Sequence, residues 1–197
     1  MSRKCYLLTC DESSSRTQFS KNILEKVGFS VEMFLAIPHK NKVISNKNSM
    51  MEIYSRISHG NDEWVYVFED DVNLLEDITL EEIIKYESIS SIFFYLGLCV
   101  YDSNNFTTND IKISNNSVTI VKGGIRGLHA IGLSKKGAHE LLHYSCASNE
   151  IFMDVCLENF SLTYPANVVR YDLVSHLDDS HRGVFFQDRK QFPTTMI

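Results

Sequence analysis

The sequence is short of most features that mark a special class of protein. Three Pro among 197 residues, against twelve Phe and nine Tyr, leave little room for a disordered or low-complexity segment. No period of about 20 to 50 residues recurs, which excludes a solenoid. No apolar run approaches the ~20 residues that a membrane span needs, and Met1 to Lys4 leads straight into a strand-like segment without a signal-type apolar stretch. A protein with no membrane span, residing in the cytoplasm, is therefore expected. Lys and Arg, 19 against 25 Asp and Glu, are scattered, and with a formal charge of −6 the chain lacks the basic footprint of a nucleic-acid binder. The five cysteines (Cys5, Cys10, Cys99, Cys146 and Cys156) are odd in number and show no C-x-x-C spacing, so they read as reduced core residues rather than zinc ligands. The phosphate-cradling pattern G-x-G-x-x-G is also absent.

What remains is ordinary for a globular chain: 44% hydrophobic and 22% charged residues, long enough for one substantial core. One domain over residues 1–197 is the economical reading. Cys5 to Thr9 reads as a strand, and Phe19, Ile23 and Val27 recur at helical spacing up to Gly28. Ser30 to Ile37 reads as a second strand stopped by Pro38, which together make a parallel βαβ start. Met50, Ile53, Tyr54 and Ile57 mark a helix, Trp64 to Phe68 a buried strand, Leu80 to Tyr86 a short helix and Ile92 to Leu98 another strand. An Asn-rich loop, Asp102 to Asn116, precedes a strand at Ser117 to Val121. Ser134 is an N-cap candidate for a helix from Lys135 to Tyr144, and Ile151 to Phe160 reads as a further helix carrying Asp154 early. The alternation predicts an α/β sandwich with a mostly parallel sheet, whose ligands gather beyond the carboxyl ends of the strands.

The strand Trp64 to Phe68 ends abruptly in Glu69-Asp70-Asp71. Successive side chains of an extended chain point to opposite faces, so Glu69 and Asp71 share one side and Asp70 takes the other. Two carboxylates facing one space repel unless a cation or a raised pKa relieves them, which suits a hard cation held through oxygen. A solvated acidic strand end is the plain alternative.

Five segments, in order, resemble the family-25 glycosyltransferases, the lipooligosaccharide and collagen galactosyltransferase group. Cys5 to Asp11 with Arg16 is similar to the family's opening strand and loop, and Phe34 to Ile37 to its second strand. Glu63 to Val72 matches the strand running into Glu-Asp-Asp-Val closely. Gly127 to Ala138 resembles the Gly-x-His-Ala-Tyr-x-x-Ser-x-x-Gly-Ala block, with Ile131 in place of its Tyr. Ile151 to Asp154 resembles the Pro-x-Asp segment, with Phe152-Met153 where the Pro is expected. The resemblance implies a GT-A (Rossmann-like) three-layer sandwich. It also implies an inverting transfer of a hexose from a UDP-sugar to an oligosaccharide or glycoprotein acceptor, dependent on Mn²⁺ or Mg²⁺. Compact enzymes of this kind are also encoded by large DNA viruses, and a viral chain would work in its host's cytoplasm.

On that resemblance Asp71 would hold the metal against the diphosphate, with Glu69 assisting directly or through water or ribose, and Asp70 would be a ribose contact or a structural cap. His176, in Ser175 to His181, is the preferred further ligand and His181 the fallback. Asp154 would take the acceptor's proton, with Glu150 in reserve; a dipole partner at its helix start is the plain alternative. His129 would bind near donor sugar and acceptor, or else be a satisfied core histidine. Thr9, Asp11 and Arg16, at the end of the first strand, are placed to meet nucleobase or phosphate, and Ala36 and Ile37 would wall the base. Gly123-Gly124 and Gly127 would admit a sugar close to the backbone. Two rivals stand beside this reading: a non-catalytic nucleotide-sugar or carbohydrate-binding module of the same fold, and a metal-dependent phosphoesterase.

Overall fold

The computed structural model describes residues 2–100, 111–114, 118–121, 125–175 and 181–193. In chain order the first half runs β1 (Arg3–Thr9), α1 (Ser15–Val27), β2 (Phe29–Leu35), α2 (Lys42–His59), β3 (Trp64–Glu69), β4 (Val72–Leu74), α3 (Leu80–Ile89) and β5 (Phe93–Val100). The second half runs β6 (Ile111–Ser114), β7 (Val118–Val121), β8 (Ile125–Ser134), α4 (Lys135–Ala147), α5 (Met153–Thr163), β9 (Ala166–Val169), β10 (His181–Gly183) and β11 (Phe185–Gln187).

Local signals fix most of these ends. Ser14 caps α1 by accepting from the Thr17 amide, and Gly28 closes it at φ 114°, a left-handed conformation in which its N–H reaches the Leu24 and Glu25 carbonyls. Thr79 and Glu82 form a reciprocal capping box at the start of α3. Ser134 caps α4 through the Gly137 amide, as its sequence position predicts. Asn41 starts α2 two turns ahead of the apolar positions that betray the helix, because its side chain accepts from Val43 and Ile44.

The main sheet has the order β2-β1-β3-β8-β5-β9-β7-β6, with β10 against the far end of β5. Strands β1, β2, β3, β5, β6 and β9 run one way, and β7, β8 and β10 oppose them. The sheet is thus mostly parallel in strand direction, as expected. The insertion of antiparallel β8 between β3 and β5 is new, as is β6 inside the stretch read as an Asn-rich loop. A separate ribbon pairs β11 with β4, Gln187 opposite Val72 and Phe185 opposite Leu74.

Side chains alternate across the sheet to build two cores. Tyr6, Leu8, Val65, Val67, Phe93 and Tyr95 pack against α2, α4 and α5 on one face. Cys5, Leu7, Tyr66, Phe68, Phe94 and Leu96 pack against α1, α3 and β11 on the other. The result is a three-layer α/β sandwich. Cys5, Cys99 and Cys156 are buried thiols, as read, whereas Cys10 and Cys146 are exposed. Among the described residues no helix is long and apolar enough to cross a membrane.

Candidate active site

The carboxyl ends of β1, β2 and β3 open on one side of the sheet, and the acidic triplet sits there at the tip of β3. The parity of the strand decides where each carboxylate goes. Val65, Val67 and Glu69 face α2, whose Asn46 amide lies 3.4 Å from Glu69 Oε1. Asp70 faces α1: its Oδ2 accepts from Thr9 Oγ1 at 2.7 Å and its Oδ1 from Arg16 Nε at 2.7 Å. Asp71, only 2% exposed, returns toward Glu69. The Gln187 Nε2 at the end of β11 donates to Glu69 Oε2 at 2.9 Å and stands 3.3 Å from Asp71 Oδ2. Arg16 spans the motif, pairing through Nη2 with Asp71 at 3.1 Å as well as with Asp70.

These groups are electrostatically loaded. Burial, then the charges of Asp71 and Asp70, push the Glu69 carboxyl up to about 8, with Asn46 and Arg16 partly opposing. Burial also raises the Asp71 carboxyl, against the Arg16 guanidinium that lowers it. Such a pair gains when a cation arrives. Among the described residues, however, no three His, Cys, Asp or Glu side chains converge to hold a metal ion.

Two cavities meet at the motif. One, of about 490 Å³, is walled by Leu8, Thr9, Ala36 and Pro38 and reaches Arg16, Asp70 and Asp71. The other, of about 730 Å³, is walled by Val43, Gly127, Leu128, Phe152, Met153 and Asp154. Lys42, Asn46, Glu69, Gln187 and Arg189 belong to both, so the tip of β3 divides one continuous cleft into two chambers.

The cleft thus brings together Thr9, Arg16, Ala36, Glu69, Asp70, Asp71 and Asp154. Other expected site residues lie elsewhere. Asp11 is exposed and turns its carboxylate onto the Ser13 amide and hydroxyl, which lower its pKa, so it shapes the β1–α1 loop outside both chambers. Ile37 is held by backbone bonds, its N–H donating to Ser49 Oγ and its carbonyl accepting from Ser45, and packs on the core behind Ala36. His129 is fully buried behind the wall that Gly127 and Leu128 present to the cleft. Among the described residues neither of its ring nitrogens finds a partner of ordinary hydrogen-bond geometry. Burial, then neighbouring His181 with ring centroids 5.6 Å apart, pushes its pKa down to about 3, so the ring is neutral. His181 is itself buried on β10 and lines neither chamber. Glu150 spends Oε1 on the Ile151 and Phe152 amides. His176 and Gly123-Gly124 lie outside the described residues.

Sequence reasoning missed Gln187, Asn46, Lys42 and Arg189. A lone polar residue carries no pattern; only the apolar run Val184 to Phe186 before Gln187 hints at a short buried strand that would deliver it.

No protein-family model matches the chain, and no curated protein matches it. Solved structures do. The crystal structure of A197 from STIV superposes with TM-score 0.50 at 12% identity, covering 85% of this chain and 81% of that one. A glycosyltransferase involved in the glycosylation of the major capsid of PBCV-1 gives TM-score 0.50 at 9% identity, over 76% of this chain and 68% of its own. UDP-glucose pyrophosphorylase complexed with UDP-glucose reaches TM-score 0.48 at 9% identity, over 86% and 90%, which is too distant a superposition to carry weight. At these identities the likeness is one of fold: the chain has a GT-A-like α/β fold, which is broader than any one glycosyltransferase family.

Proposed function

We propose that the chain is a metal-dependent, inverting hexosyltransferase of the family-25 kind. It takes a UDP-sugar in the chamber walled by Leu8, Ala36 and Pro38 and delivers the hexose to a glycan or glycoprotein acceptor in the chamber that holds Asp154. The observation that carries this reading is the junction. Of the buried carboxylate pair, Glu69 lines both chambers and Asp71 lines the smaller one beside it, so a donor's diphosphate and an acceptor would approach the same strand tip from opposite sides. The fold shared with a capsid-glycosylating glycosyltransferase supports it at a coarser level.

The residues fit a hard cation. Glu69 and Asp71 offer oxygen alone, share one face, and are raised above the usual carboxylate range by burial and by the neighbouring Asp70 charge, which Arg16 only partly offsets. With Mn²⁺ or Mg²⁺ held there, the charge that develops on a departing diphosphate would be neutralised. His176 would add a ligand on the strength of the resemblance alone. Arg16, oriented by Asp70, which Thr9 anchors, faces the donor chamber and supplies fixed positive charge to the diphosphate. His129, neutral and buried, acts from behind the wall by shaping it.

In the transfer, the acceptor hydroxyl oxygen bonds to the anomeric carbon as the bond from that carbon to the diphosphate oxygen breaks. The hydroxyl proton passes to the Asp154 carboxylate, and UDP leaves with the bonding pair. Asp154 is half-buried on the acceptor chamber, and its Oδ1 is steadied by the Val155 amide at 2.9 Å.

The test is UDP release from UDP-glucose, UDP-galactose and related donors, with manganese or with EDTA. Manganese-dependent release from at least one donor is expected. Manganese-dependent binding without release would mark the chain as a binding module instead, and hydrolysis of simple phosphate esters in preference to nucleotide-sugars would mark it as a phosphoesterase.

A further inference from the structure

The rim of the larger chamber breaks a rule that the other helix starts obey. Helix α5 begins at Met153 with Phe152 at its N-cap, where the side chain makes no capping hydrogen bond. A Ser, Thr, Asp or Asn there would be worth about 1 kcal/mol. The Phe152 ring is instead 47% exposed, beside Ile151 at 44%.

The segment is nonetheless firmly built. Glu150 Oε1 fixes the approach to the helix, accepting from the Ile151 amide at 2.8 Å and the Phe152 amide at 3.0 Å. Behind it, Lys47 Nζ on α2 donates to the Glu150 carbonyl at 2.5 Å, and Ser148 Oγ accepts from the Glu150 amide at 3.1 Å. A polar scaffold thus holds a large apolar ring at the edge of the cleft, forgoing much of the roughly 1.5–3 kcal/mol that burying it would yield. Such a local inconsistency is characteristic of a functional position. Phe152 lines the same chamber as Asp154.

We propose that Phe152 is the stacking platform of an acceptor subsite for a pyranose sugar, whose hydroxyl rim is read by Asp154. A pyranose presents two chemistries at once. Its face of C–H bonds carries weak positive charge and settles on the negative face of an aromatic ring, while its edge of hydroxyls needs acceptors and donors. This chamber supplies both, with an exposed ring beside Asp154 and Asn41. A lipid chain would bury the Asp154 carboxylate against hydrocarbon, which is costly for a charged group. The volume of about 730 Å³ lies inside the ~300–1,000 Å³ of small-molecule sites and admits a terminal sugar unit. The assignment of this sugar as acceptor rests on the transfer reaction proposed above; the binding of the sugar does not.

Saturation-transfer NMR with methyl α- and β-glycosides of glucose and galactose tests the platform in wild type, Phe152→Ala and Phe152→Trp. Wild type should transfer saturation to the ring C–H protons of at least one glycoside. Phe152→Ala should weaken that binding tenfold or more, and Phe152→Trp should bind at least as tightly as wild type. The thermal shift produced by UDP checks that each variant is folded. Equal glycoside binding in wild type and Phe152→Ala, or no glycoside binding to wild type, overturns the platform. If Phe152-dependent sugar binding is found but no donor releases UDP, the platform stands and the transferase reading falls. If UDP is released but glycosides bind without need of Phe152, the reverse holds.

Discussion

Gln187 reaches from the end of β11 to place its amide 2.9 Å from the Glu69 carboxylate, joining the C-terminal segment to the tip of β3. The β11–β4 ribbon delivers it, and its Oε1 accepts from Arg189 Nη2 at 2.8 Å, which fixes the amide so that its donor side faces the two carboxylates. A neutral donor thus occupies the space between Glu69 and Asp71. Gln187→Glu would put a third carboxylate there. It should lower apo stability by about 1–3 kcal/mol, and manganese should restore more stability to it than to wild type. Paired melting curves with and without manganese check both parts.

Arg16 is the cation that the motif already has. Its pairs with Asp70 and Asp71 involve side chains only 18%, 16% and 2% exposed, so removing it strands carboxylates that water barely reaches. Arg16→Ala should cost about 2–3 kcal/mol in urea unfolding, less than a fully buried pair because the guanidinium is partly solvated. It should also weaken UDP binding, measured by calorimetry.

Asp154 makes one local hydrogen bond and is half-buried, so Asp154→Asn should leave the melting temperature nearly unchanged. Donor binding should persist while transfer falls by roughly 10²–10⁴, the usual contribution of a general base. Parallel loss of donor binding would instead assign the residue to the donor chamber.

The neutral, buried His129 makes stability depend on acid. Its pKa is about 3 in the folded protein against 6.5 for an ordinary histidine, so the unfolded chain binds the extra proton between those values. Its contribution is fully present above pH 6.5 and is lost as pH falls toward 3, at up to about 1.4 kcal/mol per pH unit. His129→Met should change stability at pH 7 by less than about 1.5 kcal/mol and flatten the slope between pH 4 and 6.5. Urea midpoints across that range measure it.

The first half of the fold was legible because its signals are local. Apolar runs such as Trp64 to Phe68, periodic helices and the caps Ser134 and Gly28 all lie within a few residues of what they decide. The divergence of Glu69 and Asp71 from Asp70 follows from strand parity alone, and the hydrogen bonds to Gln187 and Thr9 express it. Strand β8 was not legible: Gly127, His129 and Gly132 dilute its strand character, and its place between β3 and β5 is a tertiary fact. Gly132 is there because a Cβ would meet Phe94 at 2.7 Å, a constraint invisible without the neighbouring strand. Helix α5 starts two residues later than its apolar pattern suggests, since Glu150 ties up the Ile151 and Phe152 amides. Gln187 depends on a three-residue strand whose partner lies more than a hundred positions earlier.

Calorimetric titration of UDP into wild type and Asp71→Asn, each in manganese and in EDTA, tests the central claim most directly. Wild type should bind UDP at least tenfold more tightly with manganese than without, and Asp71→Asn should lose that difference. Equal affinity in all four titrations would contradict a metal-held diphosphate at the tip of β3.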